Sequence, residues 1–224
     1  MSVFEQPGHD VRLEWGAEGV AALAPGCAVL VVVDVLSFST RVDLALARGE
    51  RIRPVRWLSP EPACGDAMPL SSPNGATLSM AASDTGLEVL AACLRNARAV
   101  ARRAVALAAG KPVGVVPCGE RWGVVLGPEP GSTGPLRPCV EDHLGAGAMV
   151  AALLELGAGS PSPEATLAEL TWRSAGAEVA ALVTGSASGR ELVEHGRAEF
   201  VAHAVAADAS TVAPRLVNGV YDRG

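Results

Sequence analysis

Residues Ala28-Val29-Leu30-Val31-Val32-Val33-Asp34-Val35 form an unbroken, mostly β-branched apolar run that closes around a carboxylate. A run without polar alternation suits a strand covered on both faces, as in the central sheet of an α/β domain. The loop Leu36-Ser37-Phe38 follows. Ser39 or Thr40 then caps a helix carrying Val42, Leu44, Ala45 and Leu46, which Gly49 ends. Strand, short loop and capped helix are the front half of a βαβ unit. The expected fold class is therefore α/β, a layered sheet covered by helices.

Further along, Ile52 to Trp57 reads as a second strand whose ladder Pro54 limits, and Leu58 to Pro73, rich in Pro, Ser and Gly, as loop. Glu88 to Leu94 is either the start of a helix continuing into Ala97 to Ala109 or a strand before one, and periodicity does not decide. Pro112 to Pro117 is a short strand leading into a loop at Cys118-Gly119-Glu120, and 127–138 is an open Gly/Pro linker. Helices are expected at Val140 to Leu156 and Pro163 to Ala181. Gly145, Ala146, Gly147 and Ala148 would let another backbone approach the first of these. Ser186 or Ser188 caps a third helix running to His195-Gly196, and Thr211 to Tyr221 closes the chain as an extended segment.

Hydrophobic residues make up 49% of the 224, which excludes disorder as the dominant state, and no apolar stretch is long enough to span a membrane. The net charge of −6, without a basic cluster, disfavours nucleic acid as a partner. Lys111 is the lone lysine among eighteen basic side chains, a bias attributed to codon usage, so no arginine is singled out. Cys27, Cys64, Cys93, Cys118 and Cys139 match neither a zinc pattern nor a disulfide framework and read as reduced thiols. The N-terminus has no basic segment followed by an apolar one, which places the chain in the cytoplasm.

Several chemistries fail on spacing alone. No cysteine has Arg six positions on, so a thiolate phosphatase loop is missing, and in Gly185-Ser186-Ala187-Ser188-Gly189 the nucleophile position holds Ala187. Lys111 is followed by Pro112 with no Walker glycine pattern, and Gly145-Ala146-Gly147 lacks the third glycine of a dinucleotide turn. Asp34 is the informative residue, because the carboxyl end of a buried parallel strand is where open α/β sheets place ligands. Leu36 stands where an aspartate phosphatase would carry its second Asp. Asp34 therefore reads as a metal ligand, as a nucleophile, or as a residue that only bonds the following loop.

Asp34-Val35-Leu36-Ser37-Phe38-Ser39-Thr40, Ser72-Pro73-Asn74-Gly75-Ala76, Leu94-Arg95-Asn96-Ala97, Cys118-Gly119-Glu120-Arg121 and Val140-Glu141-Asp142-His143-Leu144-Gly145-Ala146-Gly147 occur in this order. Together with Ser188-Gly189-Arg190-Glu191-Leu192, Gly196, Asp208 and Val212-Ala213-Pro214, this set resembles the 2-phosphosulfolactate phosphatase (ComB-like) family. The resemblance implies a Mg²⁺-dependent hydrolase releasing phosphate from 2-phosphosulfolactate, or a related small anionic phosphoester, to leave 3-sulfolactate. It also implies one domain over 1–224, built as two closely associated lobes sharing a cleft with a boundary near 127–138. A homodimer is compatible with it.

By that resemblance Asp34, Glu120, Glu141 and Asp142 are catalytic, with Asp34, Glu141 and Asp142 as oxygen ligands for Mg²⁺. Ser39, Thr40, Asn74, Gly75, Asn96, Cys118 and Gly119 bind substrate. For Glu141 and Asp142 the competing reading is that acidic residues suit any helix N-terminus; for Asn74 and Asn96 it is turn and cap. The chain departs from the family pattern at Ser37-Phe38, where Arg and a small residue are usual, and at Ala76, where Thr is usual. Arg41 follows four residues later, on what reads as a solvated helix face. The alternative function is a catalytically lapsed member that binds anions. Asp34, Asn74, Asn96, Gly119, Glu120, Glu141 and Asp142 are expected to meet at one cleft.

Overall fold

The computed structural model describes residues 2–60, 65–124 and 134–223. The apolar run forms β2 (Val29–Val33), and its side chains divide by parity between the two faces of the sheet. Val29, Val31 and Val33 pack with α4 (Ala97–Ala108) and α5 (Val140–Glu155) through Val100, Ala104, Leu144 and Met149. Leu30 and Val32 pack on the other face with Val20 and Leu23 of α1 (Gly16–Leu23) and with Leu78 and Ala82 of α3 (Gly75–Ser83). Burial on both faces accounts for the missing polar alternation in the sequence. Each such side chain contributes about 1.5–3 kcal/mol when withdrawn from water, which makes β2 the centre of the core.

Eight strands form one mixed sheet in the order β1-β6-β2-β5-β9-β10-β3-β4. β1 (Val11–Leu13), β6 (Val113–Pro117), β2 and β5 (Glu88–Ala92) are mutually parallel neighbours, as are β3 (Ile52–Arg56) and β4 (Met68–Ser72). The hairpin of β9 (Arg215–Val217) and β10 (Val220–Asp222) lies between these two blocks and pairs antiparallel with each. α2 (Phe38–Ala47) covers the second block, where Phe38, Val42 and Leu46 meet Ile52 and the buried Tyr221. A separate two-stranded ladder joins β7 (Glu120–Arg121) to β8 (Leu136–Arg137).

The segment from Glu88 is a strand because β2 and β9 supply its backbone partners, something helical periodicity does not register. The stretch expected as loop from Leu58 to Pro73 contains β4, whose few apolar positions hide it. Residues 61–64, including Cys64, and residues 127–133 of the expected linker lie outside the described residues. The helix expected over Pro163 to Ala181 is instead α6 (Pro163–Ala175) and α7 (Val179–Gly185), parted where Gly176 takes φ +47°. Ser186 caps α8 (Ala187–Glu194), and α9 (Ala198–Ala204) follows. The small residues of α5 do admit a close neighbour. A Cβ at Gly147 would run into the Ala168 carbonyl of α6, and one at Gly145 would stand 2.6 Å from the Val35 side chain. Cys27, Cys93, Cys118 and Cys139 are free and buried, and among the described residues no helix is long and apolar enough to cross a membrane.

Candidate active site

Because β2 and β6 are parallel neighbours in register, Val33 opposite Pro117, the turns that leave them emerge side by side. Asp34 stands at the first turn and Cys118-Gly119-Glu120 at the second, joined where the Cys118 amide donates to the Val33 carbonyl at 2.9 Å. Asp34 is buried. Its Oδ1 accepts from the Phe38 amide and its Oδ2 from the Gly75 amide, each at 2.9 Å, so one carboxylate holds the first turns of α2 and α3. This corrects the expected cap of α2. Phe38 opens the helix, and Ser39 and Thr40 lie inside its first turn. Ser39 Oγ accepts from the Asp34 amide and Thr40 Oγ1 donates to the Val35 carbonyl, so both hydroxyls face backbone.

Asp142 performs a matching task from α5. Its Oδ1 accepts from the Val35 amide at 2.7 Å and its Oδ2 from the Gly119 amide at 2.9 Å. Rather than capping its own helix, it clamps together the turns that follow β2 and β6. Gly119 takes φ +64° there, with the Arg137 carbonyl 2.9 Å from where a Cβ would sit, so both conformation and space call for glycine. Glu141, one residue earlier, is buried, and neither of its carboxylate oxygens has a hydrogen-bond partner among the described residues. A buried carboxylate in that condition is costly, so this orphaned group calls for a ligand.

Electrostatics follow from this crowding. Burial is the main cause that lifts Asp34 to about 6, helped by the Glu141 charge and opposed by the amides of Phe38 and Gly75. Burial and then the charge of Asp34 push Glu120 up to about 7, against the hydrogen bond from Asn74. Asp142 is held well above the usual carboxylate range by burial and by Asp34 and Glu141. The Cys118 and Cys139 thiols are also pushed up, chiefly by burial, and so stay protonated.

A cleft of about 230 Å³ opens over this cluster. Asp34 and Glu120 form its acidic floor with Asn74 between them, whose Nδ2 donates to Glu120 Oε2 at 2.7 Å. Arg41, Arg121, Arg137 and Arg197 line the wall, and none of the four is ion-paired with a carboxylate among the described residues. Arg41 is exposed as expected, yet it borders the cleft. Sequence reading passed over the other three arginines because no arginine stood out from the compositional bias; Arg121, adjacent to Glu120, carried the one local signal. Trp57 also lines the cleft and was missed.

Of the residues expected to meet, Asp34, Asn74 and Glu120 line the cleft, while Gly119, Glu141 and Asp142 do not line it; Asp142 is tied to it through the Gly119 amide, next to Glu120. Cys118 is buried and does not line it either. Asn96 is apart: its Oδ1 accepts from the Cys93 amide and it does not border the cleft. The donor set suits a hard cation, being carboxylate oxygens with one carboxylate wholly unpartnered. Among the described residues no three His, Cys, Asp or Glu side chains converge closely enough to hold a metal ion by themselves.

A family model described as 2-phosphosulpholactate phosphatase matches residues 53–219. The matched span takes in Asn74, Gly75, Glu120, Glu141 and Asp142. Asp34 lies before it and is joined to it by the bond to Gly75. No curated protein matches the chain.

Proposed function

Given that the chain belongs to the 2-phosphosulpholactate phosphatase family, a family of phosphomonoester hydrolases, we propose that it hydrolyses 2-phosphosulfolactate, or a close relative with the same anionic groups, in a Mg²⁺-dependent reaction. The observation that carries this reading is the pairing of an acidic floor with four arginines unpaired by carboxylates in one cleft. Asp34, Glu141 and Asp142 would hold the cation, and the amides that Asp34 and Asp142 accept fix the turns around it. A Mg²⁺ held by these carboxylates would supply charge neutralisation at the phosphoryl oxygens and a more acidic water. The arginines receive the carboxylate and sulfonate at the other end of the substrate, where planar multidentate donors suit oxyanions. Leu36, Phe38, Trp57 and Leu192 line the same cleft and limit water.

Phosphate release tests this directly, measured from 2-phosphosulfolactate and from simple alkyl phosphates with and without Mg²⁺. Release is expected only with Mg²⁺, and fastest from the substrate bearing additional anions. No release from any ester would leave the anion-binding alternative in its place. Asp34→Asn should lose turnover, and the rise in melting temperature that Mg²⁺ gives the wild type should vanish with it.

A further inference from the structure

If the reading above is right, the group expelled is a secondary alkoxide, and its oxygen must gain a proton as the phosphorus–oxygen bond breaks. The cleft restricts which side chain can supply that proton. Arginines hold theirs too tightly. Both oxygens of Asp34 already accept backbone amides, and Glu191 lies exposed at the rim. Glu120 differs from both. Its Oε2 is fixed by Asn74 Nδ2 at 2.7 Å, while its Oε1 has no partner among the described residues and the side chain borders the cleft.

We propose that Glu120, as a carboxylic acid held by Asn74, donates the Oε1 proton to the bridging ester oxygen. The oxygen of the attacking water forms the new bond to phosphorus, and the bond from phosphorus to the ester oxygen breaks. That oxygen keeps the electron pair and takes the Glu120 proton, giving the alcohol. One proton of the attacking water passes to solvent, from which Glu120 is reprotonated. The groups facing Glu120 favour its acid form. Burial presses it towards the neutral state first, with Asp34 beyond β2 and Glu141 on α5 adding to that in the metal-free protein, while Asn74 and Arg137 on β8 oppose them.

The test compares an ester that needs a proton on its leaving group with one that does not. Wild type and Glu120→Gln are assayed with Mg²⁺ on 2-phosphosulfolactate and on p-nitrophenyl phosphate. The variant should lose about 100-fold or more on the alkyl ester but only about 5-fold on the aryl ester, and the alkaline limb of its kcat/KM profile should disappear. Equal losses on the two esters, or an alkaline limb that persists, would overturn the role of Glu120 while leaving the phosphatase reading intact. A wild type inactive on both esters would remove the phosphatase reading and this role together. If Glu120→Gln does not fold, Asn74→Ala is scored by the same ratio.

Discussion

The Gly75 amide donates to Asp34 Oδ2 at 2.9 Å, and a Cβ placed on Gly75 would lie 2.5 Å from that same oxygen and 2.5 Å from Phe38 Cδ1. The glycine is therefore required for room, not for an unusual backbone angle. Gly75→Ala should displace Asp34 or Phe38, lowering stability by about 1–3 kcal/mol. Phosphatase activity should fall with it. Calorimetry and a phosphate assay on the one variant check both, and an unchanged melting temperature would mean the carboxylate is not fixed at this spot.

Glu141 carries two unpartnered oxygens in the core, so the metal-free chain should be more stable without it. Glu141→Met, of similar volume, is expected to raise stability in EDTA by about 1–3 kcal/mol, or roughly 2–12 °C in a chain of this size. The stabilisation given by Mg²⁺ should be lost. A variant that melts lower in EDTA than the wild type would show that the carboxylate has a partner in the folded protein.

Cys118 sits between β6 and Gly119, where a nucleophile is conceivable, but burial keeps its thiol protonated and the clustered carboxylates add to that effect. Cys118→Ser should retain most Mg²⁺-dependent activity at a small cost in stability. Complete loss of turnover in a variant that still melts cooperatively would contradict this.

Asp34 and Glu120 bind protons more tightly in the folded chain than in the unfolded one, with values raised from 3.8 to about 6 and from 4.5 to about 7. The folded state therefore holds more protons between about pH 4 and 7, and stability falls as pH rises through that window. His143, lowered by burial, works the other way over its upper part. The carboxylates outweigh it, so the metal-free protein should be less stable at pH 8 than at pH 5 by a few kcal/mol. Melting curves in EDTA read this, and saturating Mg²⁺ should flatten the slope.

What the sequence made legible were features encoded locally. Val29 to Val33 announced a doubly covered strand, and Asp34 the end of it that borders the cleft; Glu141 and Asp142 fell on the helix start where they were expected. The competing readings divide between Asp142 and Asn96. Asp142 binds amides of other segments, so its place in the first turn is not explained by capping, while Asn96 serves the Cys93 backbone as a turn residue would. Hidden features depend on distant partners. β4 has Pro69 and two serines and reads as loop until β3 pairs with it, and α3 opens on Asn74-Gly75, a pair that suggests a turn. The arginine wall draws on β7, β8, α2 and the turn before α9, so no window of sequence contains it.

The β9–β10 hairpin joins the two parallel blocks, yet the ribosome makes it after every other strand. Without it, β5 and β3 would each present an unpaired hydrogen-bonding edge and the two parallel blocks would have no ladder between them. Completion of the sheet is thus a late, long-range event, and Tyr221, buried against Phe38, arrives with it. Since Tyr221 Oη bonds Ser79 and Ser79 bonds the Gly75 carbonyl, the same event steadies the helix that presents its amide to Asp34. The last strand of the sheet is therefore tied through Tyr221 and Ser79 to the glycine whose amide Asp34 accepts, and a chain cut short of Tyr221 would lose both the joint between the blocks and that support.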